Sequence, residues 1–203
     1  MQNNQTPGNG KIHYLVQLAV LVAMMLLLHV SGLGYLSFGA IEMTIMPVPV
    51  MIGAILLGPL AGAILGLAFG LTSLWQAFAG SPFGMALLSI SVWKTAVLCL
   101  VPRVLMGFLC ALVFRALQKR MQNKTVPFAV AGVSAALLNT ALFMTFLMAL
   151  FGGTEYLNGL RAGAGFFRFV VVFVGLNGLI EAIACAILGA TCARTTYGLL
   201  HKK

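Results

Sequence analysis

The sequence predicts an all-α membrane protein with six transmembrane helices, and three observations lead there. Of 203 residues, 61% are hydrophobic and 7% are charged, whereas about a quarter of a soluble domain is charged. The mean hydropathy is +1.05. The apolar residues fall into runs near the roughly 20 residues that a spanning helix needs, and Gly, Pro and basic residues separate the runs. No long polar stretch is left for a soluble catalytic unit, so residues 1–203 read as one membrane domain.

Residues 1–10 are polar and read as a disordered tail. The first helix is expected from Ile12 to Val30. Its apolar run of about 19 residues is too long for a signal h-region, and no A-x-A site follows it. Ala19 and Ala23 lie four apart in it, a small-xxx-small pair. A Gly-containing loop from Ser31 to Met46 holds Glu42. The second helix is expected from Val48 to Leu57 and the third from Pro59 to Phe78. Between them Gly58-Pro59 marks a tight helical hairpin, since Gly suits the residue just past a helix and Pro the first residue of the next. Gly58, Gly62, Gly66 and Gly70 recur every four residues. At helical pitch they form a stripe nearly free of side chains, against which another backbone can pack closely.

Ala79-Gly-Ser-Pro82 reads as a turn. Phe83–Val101 reads as a loop with a short interfacial or re-entrant helix, with a further span as the alternative. The fourth helix is expected from Pro102 to Met121, a basic loop from Gln118 to Lys124, and the fifth helix from Pro127 to Phe151. A Gly-rich loop, Gly152–Gly165, precedes a sixth helix over Phe166–Ala193 and a basic tail. Every proline then falls at a segment end or in a loop.

Six helices put both termini on one side. Lys11, Arg115, Lys119, Arg120, Lys124, Arg194, Lys202 and Lys203 share that side, against Lys94, Arg103, Arg161 and Arg168 on the other. Cations favour the cytoplasmic side, so both termini are expected there. The net charge of +9 then reports orientation and anionic lipid, not nucleic acid.

Polar groups at membrane depth are costly and point to function. Arg103 is expected at the outer start of the fourth helix. Trp75 and Gln76 close the third, Asn139 lies midway along the fifth, and Asn177 and Glu181 share a face of the sixth. Together they suit a polar organic anion. Arg takes a carboxylate through two parallel hydrogen bonds, amides match hydroxyls and amides, and Trp supplies an apolar wall. The same residues also suit structural roles: Glu181 as partner of Arg168 or Arg103, and the two Asn as interhelical hydrogen bonds. His29 reads as an interfacial residue. The four cysteines form no C-x-x-C pair and read as small buried hydrophobes.

The sequence contains no Asp, no P-loop, no H-E-x-x-H and no cluster of acids. An enzyme is therefore not expected, and neither a cofactor nor a metal is implied. A transporter built this way must draw its energy from another subunit. A small membrane enzyme acting on lipid or isoprenoid phosphate, and a scaffold protein, are the more remote readings.

Three stretches carry a resemblance. They are the run from Gly39 through Pro47-Val-Pro49 to Gly66, the Ser81-Pro82-Phe83 loop, and Val101-Pro-Arg-Val-Leu-Met-Gly107. The chain resembles, over nearly its whole length, the substrate-binding S components of energy-coupling factor (ECF) vitamin transporters. The resemblance implies six helices, cytoplasmic termini in a bacterial cell membrane, and vitamin capture from outside. It also implies partnership with a transmembrane scaffold subunit and two ATPase subunits, with Ala19 and Ala23 on the docking face. Within the family the chain is most similar to the pantothenate type, which implies Gln76, Arg103 and Asn139 as binding residues. Phe83–Val101 is longer than that type's pattern, leaving folate, riboflavin or a pyridoxine-like vitamin as alternatives.

Overall fold

The computed structural model describes residues 7–38, 41–121, 126–161, 181–183, 185–189, 191 and 195. Helices dominate: α1 (Pro7–Val30), α2 (Pro47–Leu57), α3 (Pro59–Phe78), α4 (Pro82–Ile90), α5 (Val92–Arg120), α6 (Val126–Phe151) and α7 (Glu155–Arg161). A π-helical segment, Cys185–Gly189, follows. An antiparallel hairpin of β1 (Tyr35–Phe38) and β2 (Ile41–Thr44) joins α1 to α2, with Tyr35 opposite Thr44 and Ser37 opposite Glu42.

Among the described residues four helices are long and apolar enough to cross a membrane: α1 from Gly10, α3, α5 and α6. With 11 residues, α2 rises about 16 Å at 1.5 Å per residue, roughly half of a hydrocarbon core. Most of the sixth expected helix lies outside the described residues.

Local chemistry fixes the boundaries. Gly58 has φ +96°, in the region that favours glycine, and Pro59 opens α3. Ser81 caps α4, its Oγ accepting from the Gly84 N–H at 3.2 Å. Ser91 caps α5 by accepting from the Lys94 N–H at 3.4 Å.

The glycine stripe of α3 faces the backbone of α5. A Cβ at Gly62 would meet the Gly107 carbonyl, and one at Gly66 the Arg103 carbonyl. One at Gly70 would come within 2.8 Å of the Cys99 carbonyl oxygen. The partners descend by four as the glycines ascend by four, so the helices run antiparallel with a glycine at each close approach. From Pro47 through Ile55 every residue of α2 is buried. The core around α2 includes Met106, Cys110 and Phe114 of α5 and Phe128, Ala131 and Ala135 of α6. Cys99, Cys110 and Cys185 are buried, as small hydrophobes should be; Cys192 lies outside the described residues.

Several expectations are corrected. The helix expected to start at Ile12 begins at Pro7, inside the tail read as disordered. The loop before α2 contains the hairpin. The difficult stretch Phe83–Val101 divides at Ser91: its first part is α4, and its second is the beginning of α5. Pro102 therefore lies inside a helix, not at its first residue, and Arg103 is a full three turns in. Ser91, a stronger start signal than Pro102, opens the helix ten residues earlier. The basic run Gln118–Arg120 completes α5, and Glu155–Arg161 of the expected Gly-rich loop is the short helix α7.

Replacing Gly66 with Ala should destabilise the protein by about 1–3 kcal/mol, the usual cost of overpacking a close contact. Gly159, in α7, has open space at its Cβ position, so Gly159→Ala should leave stability unchanged or raise it by up to about 1 kcal/mol. Melting of the purified protein in detergent measures both. Equal melting of Gly66→Ala and the parent would contradict the close approach of α3 and α5.

Candidate functional site

A cavity opens where α2 runs out. In α5 and α6, the residues packed on α2 lie towards the Gly58 end of the bundle. Those one to three turns further from that end line the cavity instead: Thr95, Leu98, Cys99 and Arg103 of α5, and Asn139, Thr140, Phe143 and Met144 of α6. Ser73 and Ala77 of α3, Ser81, Phe83, Gly84 and Leu87 of the α4 region, and Glu181 complete the side walls. Tyr35 and Thr44, paired across the hairpin, cover it. The space open to water-sized centres is about 140 Å³. That is close to the roughly 150 Å³ of an apolar cavity that takes up benzene, so the space suits a small organic molecule or one part of a larger one.

Arg103 is only 8% exposed. One guanidinium nitrogen, Nη1, donates to the Leu98 carbonyl at 2.9 Å, and Nε is buried without a partner. The guanidinium carbon lies 4.6 Å from the centre of the Phe143 ring and 5.4 Å from that of Phe69, both within cation–π range. Facing it on α6, Asn139 donates through Nδ2 to Glu181 Oε1 at 2.9 Å and leaves Oδ1 buried without a partner. The described partner of Glu181 is thus Asn139, not Arg103.

Two opposite hydrogen-bonding demands therefore meet in one cavity, an unused donor on Arg103 and an unused acceptor on Asn139. Leaving a buried polar group unpaired costs about 1–3 kcal/mol, more if charged. A molecule that brings an anionic oxygen and an O–H or N–H group relieves both. Among the described residues no group of His, Cys, Asp and Glu could hold a metal ion.

The hairpin is pinned to the helices. Tyr35 Oη and Thr72 Oγ1 lie 3.0 Å apart, and Thr72 donates to the Phe69 carbonyl at 2.8 Å. Burial pushes the Tyr35 phenol up to about 12 from an ordinary 10, against the opposing effect of the Thr72 bond. It stays a neutral phenol at physiological pH. His29 sits beneath, its ring edge-on to Tyr35 at 5.7 Å.

The sequence-predicted residues are thus only partly brought together. Arg103, Asn139 and Glu181 share the cavity. Trp75 is 68% exposed, and neither it nor Gln76 is in the cavity wall. At 100° per residue Trp75 points about 160° away from Ser73, which does line it. Asn177 lies outside the described residues. Sequence reasoning missed Tyr35, Thr44, Ser73, Thr95 and Phe143. The Thr72-Ser73 pair near the end of an apolar helix was a usable signal; the hairpin residues had none beyond a short alternation.

Residues 13–191 match the family model of the ECF transporter, substrate-specific component. The chain belongs to that family. As an S component, it is a multi-pass membrane protein and part of a transporter. It is 35% identical over 143 residues to a protein of Leuconostoc mesenteroides subsp. mesenteroides named pantothenate transporter PanT, covering 66% of this chain and 67% of that one. It is 30% identical over 158 residues to a protein of Lactococcus lactis subsp. cremoris named pantothenic acid transporter PanT, covering 73% and 74%. The family match spans every cavity-lining element from the hairpin to Glu181.

Proposed function

We propose that this S component captures pantothenate in the cavity from outside the cell and delivers it inward with a scaffold subunit and two ATPase subunits. The observation that carries the reading is Arg103: a buried guanidinium, stacked on two rings, with its Nε unused in the cavity wall. Pantothenate has a carboxylate for Arg103, and hydroxyl and amide donors for Asn139 Oδ1. The names of the two relatives support that choice among vitamins.

An equilibrium titration of the purified protein with labelled pantothenate tests it. A hydrogen bond to a charged group contributes about 1.5–3 kcal/mol, so Arg103→Ala should weaken binding by on the order of ten- to a hundredfold. Arg103→Lys should rescue it in part, since Lys lacks the planar fork, and Asn139→Ala should cost less. Parent-like binding by Arg103→Ala would refute the carboxylate role. A parent that ignores pantothenate but binds riboflavin or folate would refute the substrate.

The reading places the cavity end of the bundle outside the cell and both termini in the cytoplasm. The asymmetry of eight cations to four supports this. Cysteines introduced at positions 2 and 203 should resist a membrane-impermeant reagent in intact cells; labelling of both would overturn the orientation.

Of the four described helices long enough to span, α1 is the least enclosed, with 6% of its apolar window buried against 44% in α3 and 50% in α5. Ala19 and Ala23 are both exposed on it, which supports a scaffold-docking face. Ala19→Leu or Ala23→Leu should leave pantothenate binding intact and reduce uptake and co-purification of the other subunits, because added volume separates closely packed helices. Unchanged uptake with unchanged complex recovery would count against the face.

A further inference from the structure

The sequence puts a proline one residue before the buried arginine, in the middle of a 29-residue helix. A proline there has no N–H, and its ring crowds the carbonyl four residues back. Four residues back from Pro102 is Leu98. The Leu98 carbonyl thus loses its regular helical donor, in a wall residue that is 1% exposed. The donor it receives instead is Arg103 Nη1, at 2.9 Å. This contact spans five residues, one more than the helical ladder. It suits a side chain that leans towards the helix N-terminus, as helical side chains do.

We infer that Pro102 is a positioning residue for substrate: by removing one backbone donor it leaves the Leu98 carbonyl free to anchor one end of the Arg103 guanidinium, so that the other end faces the cavity. The ring of Phe143 fixes the guanidinium plane from one side. The carbonyl fixes its rotation within that plane. Such an anchor fixes a flexible side chain before the ligand arrives and lowers the ordering cost of binding. It also uses Nη1 and not Nε, which stays without a partner on a residue that lines the cavity. This inference rests on the reading of Arg103 as the anion-binding group.

Pro102→Ala returns an N–H to the helix, and the sign of its effects separates positioning from support. Alanine is far better than proline in a helix interior, so the variant should melt at or above the parent temperature. Its affinity for pantothenate should nevertheless fall on the order of tenfold, the scale of one lost hydrogen bond. In an Arg103→Ala background the same change should leave affinity unaltered, because there is no guanidinium left to position. Titration of the parent, both single variants and the double variant with labelled pantothenate, with melting of each, reads all of this. Parent-like affinity of Pro102→Ala would overturn the inference. So would a lower melting temperature or failure to fold, which would make Pro102 a structural support, or an equal loss of affinity in both backgrounds. If the parent does not bind pantothenate, it is the substrate reading that fails, and that outcome is visible before any variant is compared.

Discussion

The fold depends on the direct contact between the backbones of α3 and α5. Three glycines on one helix meet three carbonyls on the other, and no residue with a side chain could take their places without moving the helices apart. The turns of α5 held by this contact are those of Cys99, Arg103 and Gly107. Two of these residues also line the cavity. Packing and recognition are thus coupled at the same turns: the glycines that bring the helices together also set where the guanidinium begins. A similar contact holds the other wall. A Cβ at Gly132 of α6 would come within 2.6 Å of the Cys185 carbonyl oxygen, which keeps the π segment, and Glu181 one turn before it, close to α6. π-type turns are frequent beside functional groups in helices.

Within that frame the polar groups are incomplete by design of their neighbours. Glu181 occupies the donor side of Asn139 and leaves its acceptor side open. With Nδ2 taken by Glu181, the oxygen of Asn139 is the atom left without a partner, on a residue that lines the cavity. The cavity therefore has a polarity, donor from α5 and acceptor from α6, and a ligand that did not match it would leave buried groups unpaired at a cost.

Much of this was legible in the sequence, for stated reasons. Gly58-Pro59 gave the α2–α3 hairpin because turn chemistry is local, and the four-residue glycine spacing showed a close backbone approach because helical pitch is fixed. Arg103, Asn139 and Glu181 stood out because polar groups are conspicuous at membrane depth. The hydrogen bond that joins Asn139 to Glu181 spans 42 positions and leaves no local trace. Pro102 misled because a proline marks a helix start far more often than it sits inside one, and the resemblance of the two cases is complete at the level of residue type. Trp75 and Ser73 are near neighbours in sequence on opposite faces of α3, so nearness along the chain said nothing of nearness to the cavity. The hairpin, with two strands of four residues each, carries too few alternating residues to distinguish it from a loop.

The central helix of the bundle, α2, reaches only about halfway through a bilayer. In place of its missing half stand a hollow and a pair of strands. Irregular or strand backbone within a membrane protein is tolerable where it lines a cavity; here β1 pairs with β2, and Tyr35 and Thr44 line the hollow. On the far side, the fully buried residues of α2 form a solid floor. Among the described residues the hollow is thus floored by α2 and covered by the hairpin. On the function proposed above, a solute held in the hollow would rest on α2, and its delivery to the other side would need the walls around it to rearrange.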